Sequence, residues 1–175
     1  MKKSKTLKLV LSGVFIALGI VLPFLTGQIQ EIGNKLLPMH LPVMLCGFVC
    51  GGWYGLAVGF ITPVLRSMLF GMPVMFPVAV SMAFELCVYG LVTGLVYKRL
   101  PKKNWSIYTA LVIAMIAGRI AGGIVNMILY GIQGNTYSIQ LFMAGMFFNA
   151  VPGIILQLVL IPIIIMLLKR AKVME

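Results

Sequence analysis

Tyr97-Lys98-Arg99-Leu100-Pro101-Lys102-Lys103-Asn104-Trp105 is the stretch on which the fold turns. Four cations and a proline fall within it, and on both sides the chain becomes apolar at once. Upstream, Val78 to Tyr97 carries one charge, Glu85; downstream, Ser106 to Tyr130 carries one, Arg119. Each run is long enough to cross the hydrocarbon core of a bilayer, which takes about 20 apolar residues. A basic loop between two such runs belongs on the cytoplasmic face, because translocating Lys and Arg is disfavoured.

Reading outward, the same grammar repeats. Lys2, Lys3, Lys5 and Lys8 precede the run Leu9 to Leu25, expected as helix one. A signal peptide also starts this way, but no Ala-x-Ala-like cleavage site follows, so the segment is expected to stay in the membrane. Helix two is expected from Leu41, with Pro42 in its first turn, to Cys50, short for a span. Gly51-Gly52-Trp53-Tyr54-Gly55 reads as a tight turn with aromatic anchors, and helix three as the run to about Phe70. Helix four is expected over Val78 to Tyr97, helix five over Ser106 to Tyr130, and helix six over Ile139 to Leu168, bent at Pro152 and Pro162.

Lys169, Arg170 and Lys172 follow the last run. Eleven of the 14 Lys and Arg residues thus lie in the N-terminus, the loop at residue 100 and the C-terminus. In a six-helix chain those three segments share a side. The expected fold is therefore all-α: an integral membrane bundle of six transmembrane helices, both termini cytoplasmic, forming a single membrane domain over residues 1–175. The cell membrane of a prokaryote is the expected location.

Composition excludes the alternatives. A chain with 61% hydrophobic residues, 10% charged residues and a mean hydropathy of +1.08 cannot cover its apolar surface as a soluble domain of this size. The net charge of +11 does not indicate nucleic acid, since the cations flank apolar runs and form no basic face. Cys46, Cys50 and Cys87 lie within apolar runs and read as small buried residues, with no metal expected. No phosphate-binding Gly-Lys-Ser/Thr loop is present, and no catalytic triad, so neither an ATPase nor an enzyme is expected, and no cofactor of its own.

What remains unexplained by membrane insertion is three charges. Arg66, Glu85 and Arg119 lie inside apolar runs, where each costs roughly 2.5–3.5 kcal/mol on insertion scales. At about 1.5 Å per residue, their depths from the outward ends of their helices are about 7, 12 and 17 Å. Arg119, Gly123, Asn126 and Tyr130 share one helical face; Gly145, Asn149, Gly153 and Gln157 share another; Ser81 and Tyr89 flank Glu85. These residues are expected to converge on one pocket in the outward half. Two positive charges and one negative leave a surplus that a carboxylate would neutralise, gripped by a planar guanidinium. An internal Arg–Glu–Arg network, or Arg66 snorkelling to the surface, is the alternative. Small residues at every fourth position (Gly13 and Ala17; Gly51, Gly55 and Gly59; Ala110, Ala114, Gly118 and Gly122) allow close helix approach.

Leu37-Pro38-Met39-His40-Leu41-Pro42-Val43-Met44-Leu45-Cys46-Gly47-Phe48, Tyr54-Gly55-Leu56-Ala57-Val58-Gly59-Phe60-Ile61-Thr62-Pro63, Gly71-Met72-Pro73, Ala83-Phe84-Glu85-Leu86 and Asn149-Ala150-Val151-Pro152-Gly153-Ile154, in this order, resemble the substrate-binding S components of energy-coupling factor (ECF) vitamin transporters. The likeness spans nearly the whole chain and is greatest to pantothenate-type members. It implies a vitamin-binding subunit that docks on a transmembrane coupling subunit and two ATPases, ATP being used by those partners, and that topples in the membrane during transport. The Ala-x-x-x-Ala pattern by which the family's first helix meets the coupling subunit has its nearest counterpart in Gly13 and Ala17, one residue different. The substrate-binding residues expected are Arg66, Glu85, Tyr89, Arg119, Asn126, Tyr130 and Asn149, with the segments Thr26–Leu37 and Phe70–Pro77 as lids. Pantothenate, with one carboxylate, hydroxyls and an amide, suits the surplus charge; hydroxymethylpyrimidine, pyridoxine, folate and a non-transport regulatory role stay open.

Overall fold

The computed structural model describes residues 4–26, 35–101, 103–134 and 150–171. All regular structure among them is helical. Six α-helices follow in order: α1 Lys5–Val21, α2 His40–Cys50, α3 Gly52–Phe70, α4 Val80–Arg99, α5 Trp105–Ile132 and α6 Val151–Arg170. Residues Leu22–Thr26 extend α1 as a 3₁₀ turn, and a π turn at Met75–Ala79 leads into α4.

Local chemistry sets the ends. Ser4 caps α1 by accepting a hydrogen bond from the Leu7 N–H at 3.1 Å. Gly51, at φ 105°, ends α2, and α3 starts at the next residue. The expected five-residue turn is therefore one residue long, and Trp53 and Tyr54 belong to the first turn of α3. Gly71, in the left-handed region, ends α3, with its N–H bonded to the Ser67 carbonyl. Lys98 and Arg99 close α4, and Lys169 and Arg170 close α6, where cations complement the helix dipole.

Among the described residues, five helical segments are long and apolar enough to cross a membrane. The expected count of six spans is not reached on this measure, because α2 has only 11 residues. At 1.5 Å per residue it is about 16 Å long, roughly half the hydrocarbon thickness. Its sequence explains where it sits instead. It is apolar on every side, so it has no polar face to offer and is wrapped by protein, with ten of its 11 residues buried. Around it, α4 packs extensively on α2, α3 and α5, while α1 lies against α2 and α3, and α6 touches α2 and α5.

The α2–α3–α4 contact is backbone against backbone. A Cβ on Gly55 would lie 2.6 Å from the Gly90 carbonyl oxygen, and one on Gly47 would lie equally close to the same oxygen. Gly94 meets Gly52, and Gly59 meets the Leu86 carbonyl. In α6 the helix begins at Val151, so Pro152 stands in its first turn, where it disrupts no hydrogen bond, and only Pro162 is internal. The part of the expected sixth helix before residue 150 lies outside the described residues.

Candidate functional site

The intramembrane charges divide into two groups. Arg66, on α3, is 3% exposed. Its Nη1 donates to the Ile20 carbonyl oxygen at 2.8 Å, across to α1. The guanidinium lies 5.1 Å from the centre of the Phe24 ring and 5.8 Å from that of Phe70, and those two rings meet edge to face at 5.0 Å. A charge-assisted hydrogen bond plus two aromatic faces is a sufficient reason for a buried guanidinium. It ties the end of α1 to the end of α3. Next to it, Thr62 bonds the Val58 carbonyl and fills the notch left by Gly19 of α1.

The second group joins α2, α4 and α5. Glu85, on α4, is 6% exposed, and His40, the first residue of α2, is 1% exposed. His40 Nε2 stands 3.7 Å from Glu85 Oε1. One turn along α4 from Glu85, Tyr89 is fully buried and meets the His40 ring edge to face at 5.1 Å. The charges of both Glu85 and Arg119 act on Tyr89.

Arg119, on α5, is 3% exposed. The glycines beside it let α5 approach these side chains. A Cβ on Gly118 would lie 2.9 Å from the Tyr89 ring, and one on Gly122 would lie 3.1 Å from Glu85 Oε2. Ser81 donates to the Gly122 carbonyl at 3.4 Å. Arg119 also lines a cavity of about 190 Å³ between α5 and α6, whose other walls are Val112, Met115, Ile116, Ile154 and Leu158.

Asn126 and Tyr130 continue the α5 face, both half-buried. Gln157, on α6, is fully buried, and neither atom of its amide makes a hydrogen bond. Asn149 lies outside the described residues, as do residues 27–34 of the first expected lid. The last part of that segment, Lys35–Leu36, runs over Gly153 at the start of α6, where a Cβ would lie 2.6 Å from the Lys35 carbonyl oxygen.

Sequence reasoning missed His40 as a member of this cluster. A single histidine at a helix start has no partner at helical spacing, and the neighbours that define it, Glu85 and Tyr89, are more than 40 residues away. Gln157 was legible only as a point on a polar face.

The separation of Arg66 carries a prediction. Arg66→Gln removes a charged donor from the Ile20 carbonyl, a bond of the kind that contributes about 1.5–3 kcal/mol. The purified variant is expected to unfold at lower temperature than the parent. Binding at the separate Glu85–Tyr89 cluster stays within about a factor of two, since sites without shared partners act additively. A large loss of affinity with unchanged melting would make Arg66 a ligand contact instead.

Buried ionic and polar groups on three helices, together with helices long and apolar enough to cross a membrane, fit a membrane-embedded chain with a polar interior. The family model described as "ECF transporter, substrate-specific component" matches residues 7–165. Comparison with curated proteins gives no match, and neither does comparison with solved structures. That family is a transporter component and not an enzyme family, its members working with a coupling subunit and ATPases. This multi-pass membrane chain belongs to the substrate-specific component family of ECF transporters.

Proposed function

We propose that this subunit captures a small carboxylate-bearing vitamin, pantothenate first among them, in a pocket centred on Arg119, Glu85 and Tyr89, with Asn126, Tyr130 and Asn149 around it. The observation that carries the reading is the burial of Arg119 at 3% exposure on the stretch of α5 whose Gly118 and Gly122 pack on Tyr89 and Glu85, within a family that binds small molecules. A guanidinium offers a carboxylate two parallel hydrogen bonds, and the buried setting strengthens them. All six helices act as one bundle with both termini in the cytoplasm of a prokaryote, and α2 serves as the shortened sixth crossing. The bias of Lys and Arg toward three segments supports that orientation.

Gly13 and Ala17 support docking on the coupling subunit. Both are exposed, and a Cβ on Gly13 would touch nothing within 4 Å, so this small face of α1 is not used within the bundle. Arg119 and Glu85 also carry opposite charges, and with Arg66 held by the Ile20 carbonyl no surplus cation remains beside them. That balance favours a second reading, an uncharged precursor such as pyridoxine or hydroxymethylpyrimidine.

Mass spectrometry of the small molecule that leaves the detergent-purified subunit on denaturation tests the choice. Recovery of pantothenate, together with labelled pantothenate uptake that requires the coupling subunit and both ATPases, is the expected result. Recovery of an uncharged vitamin moves the assignment to the second reading. Uptake that proceeds without the ATPases overturns the transport role.

A further inference from the structure

His40 poses a problem of hydrogen bonding. It is 1% exposed, and neither Nδ1 nor Nε2 makes a hydrogen bond. The hydroxyl of fully buried Tyr89, whose ring touches His40 edge to face, faces Glu85 but makes no hydrogen bond of good geometry. A buried polar group without a partner costs about 1–3 kcal/mol, and native structures rarely leave several such atoms in one place unless a water, ion or ligand completes them.

The geometry says what kind of group completes this set. His40 Nε2 and Glu85 Oε1 are 3.7 Å apart, too far for a direct hydrogen bond. One oxygen lying about 2.8 Å from each would bridge them. A carboxylate oxygen accepts a proton and donates none, so the bridging atom must donate to Glu85. Toward a neutral or protonated imidazole N–H it must accept. A hydroxyl-type oxygen, of a substrate or of a water that a substrate hydroxyl displaces, does both, and a carboxylate, a carbonyl or an apolar group does not.

We propose that His40 is a substrate-contact residue which, with Glu85 and Tyr89, reads a hydroxyl of the substrate. The substrate class is thereby a hydroxylated small molecule, its hydroxyl at the α2–α4 side and its remaining polar group toward Arg119. This inference rests on the reading of the cluster as the substrate pocket. It adds a determinant that the carboxylate reading does not contain.

The test is equilibrium binding to the full-length subunit in lipid nanodiscs with two pairs of probes: pantothenate and its singly deoxygenated analogues, and pyridoxine and 4-deoxypyridoxine. The parent protein is expected to favour a hydroxylated probe over its deoxy analogue by about tenfold or more, the size of one buried hydrogen bond. Tyr89→Phe, which removes one oxygen and keeps the ring contact, and His40→Gln each reduce that preference severalfold, while His40→Leu abolishes it. Variants that weaken hydroxylated and deoxy probes equally give His40 a packing role only and overturn the proposal, as does an absence of preference in the parent. Pantothenate binding that depends on Arg119 but ignores the hydroxyls leaves the carboxylate reading standing and removes this one. A His40-dependent preference within the pyridoxine pair alone does the reverse.

Discussion

Gly90→Ala is expected to cost this subunit far more stability than a methyl group added on an open helix face. The Cβ of residue 90 would lie against the backbone of Gly55, meeting its Cα, carbonyl carbon and oxygen. Side-chain overpacking commonly costs about 1–3 kcal/mol because rotamers can give way. Here the obstacle is main chain on a facing helix, so α3 and α4 must separate. That separation also breaks the fit of Gly59 to α4. A loss of at least about 3 kcal/mol is expected, which for a chain of this length lowers the midpoint of thermal unfolding by roughly 6–12 °C. Gly13→Ala is the control. Its Cβ meets nothing within 4 Å, and alanine is the better helix former by about 1 kcal/mol, so the midpoint stays level or rises. Thermal unfolding followed by fluorescence in detergent reads both variants. Equal midpoints for Gly90→Ala and the parent would mean that the helices do not meet as closely as described.

The pair also separates what sequence can give from what it cannot. Long apolar runs bounded by cations or by glycines carry their own signal, so α1, α3, α4 and α5 lie within a few residues of the expected limits. The length of α2 was also legible, since Gly51 follows Cys50 at once. What was not legible is that an 11-residue helix would sit wrapped in protein, because burial depends on neighbours and not on the segment's own hydropathy. Spacing identified Gly55 and Gly59 as a small ladder, but not that Gly90 and Gly94 of α4 complete it. Spacing likewise produced ladders at Gly13–Ala17 and Gly118–Gly122 that read identically; the first faces outward, and the second faces Tyr89 and Glu85. The site follows the same rule. Charges inside apolar runs announced themselves one by one. Their grouping did not, because helical depth is one coordinate and Arg66 differs from Arg119 in its lateral neighbours: Ile20, Phe24 and Phe70 on one side of the bundle, the Tyr89 cluster on the other.

Arg119→Met is expected to abolish substrate capture, with affinity falling by at least about a hundredfold. Two charge-assisted hydrogen bonds at about 1.5–3 kcal/mol each set the scale, and each 1.4 kcal/mol is a factor of ten. The substitution alone is an ambiguous experiment, because it leaves Glu85 with its neighbouring positive charge gone. Removing one member of a buried pair of charges typically costs about 3–5 kcal/mol through the charge left behind, so loss of binding could follow from loss of fold. Arg119→Met combined with Glu85→Gln removes both charges at nearly constant volume. The double variant is expected to recover most of the thermal stability that Arg119→Met loses, and none of the affinity. Arg119→Lys completes the argument. It keeps the positive charge for Glu85 and so keeps the fold, but an ammonium cannot present the two parallel N–H donors of a guanidinium. Affinity for a carboxylate-bearing ligand is expected to drop roughly tenfold to a hundredfold on this change, whereas an uncharged ligand that needs only a cation to balance Glu85 would lose little. Calorimetric titration of the three variants and the parent in nanodiscs therefore reads two things at once. Affinity that tracks stability across the series would reduce Arg119 to a structural counter-charge; affinity that tracks the shape of the cation would make it the residue that grips the proposed carboxylate.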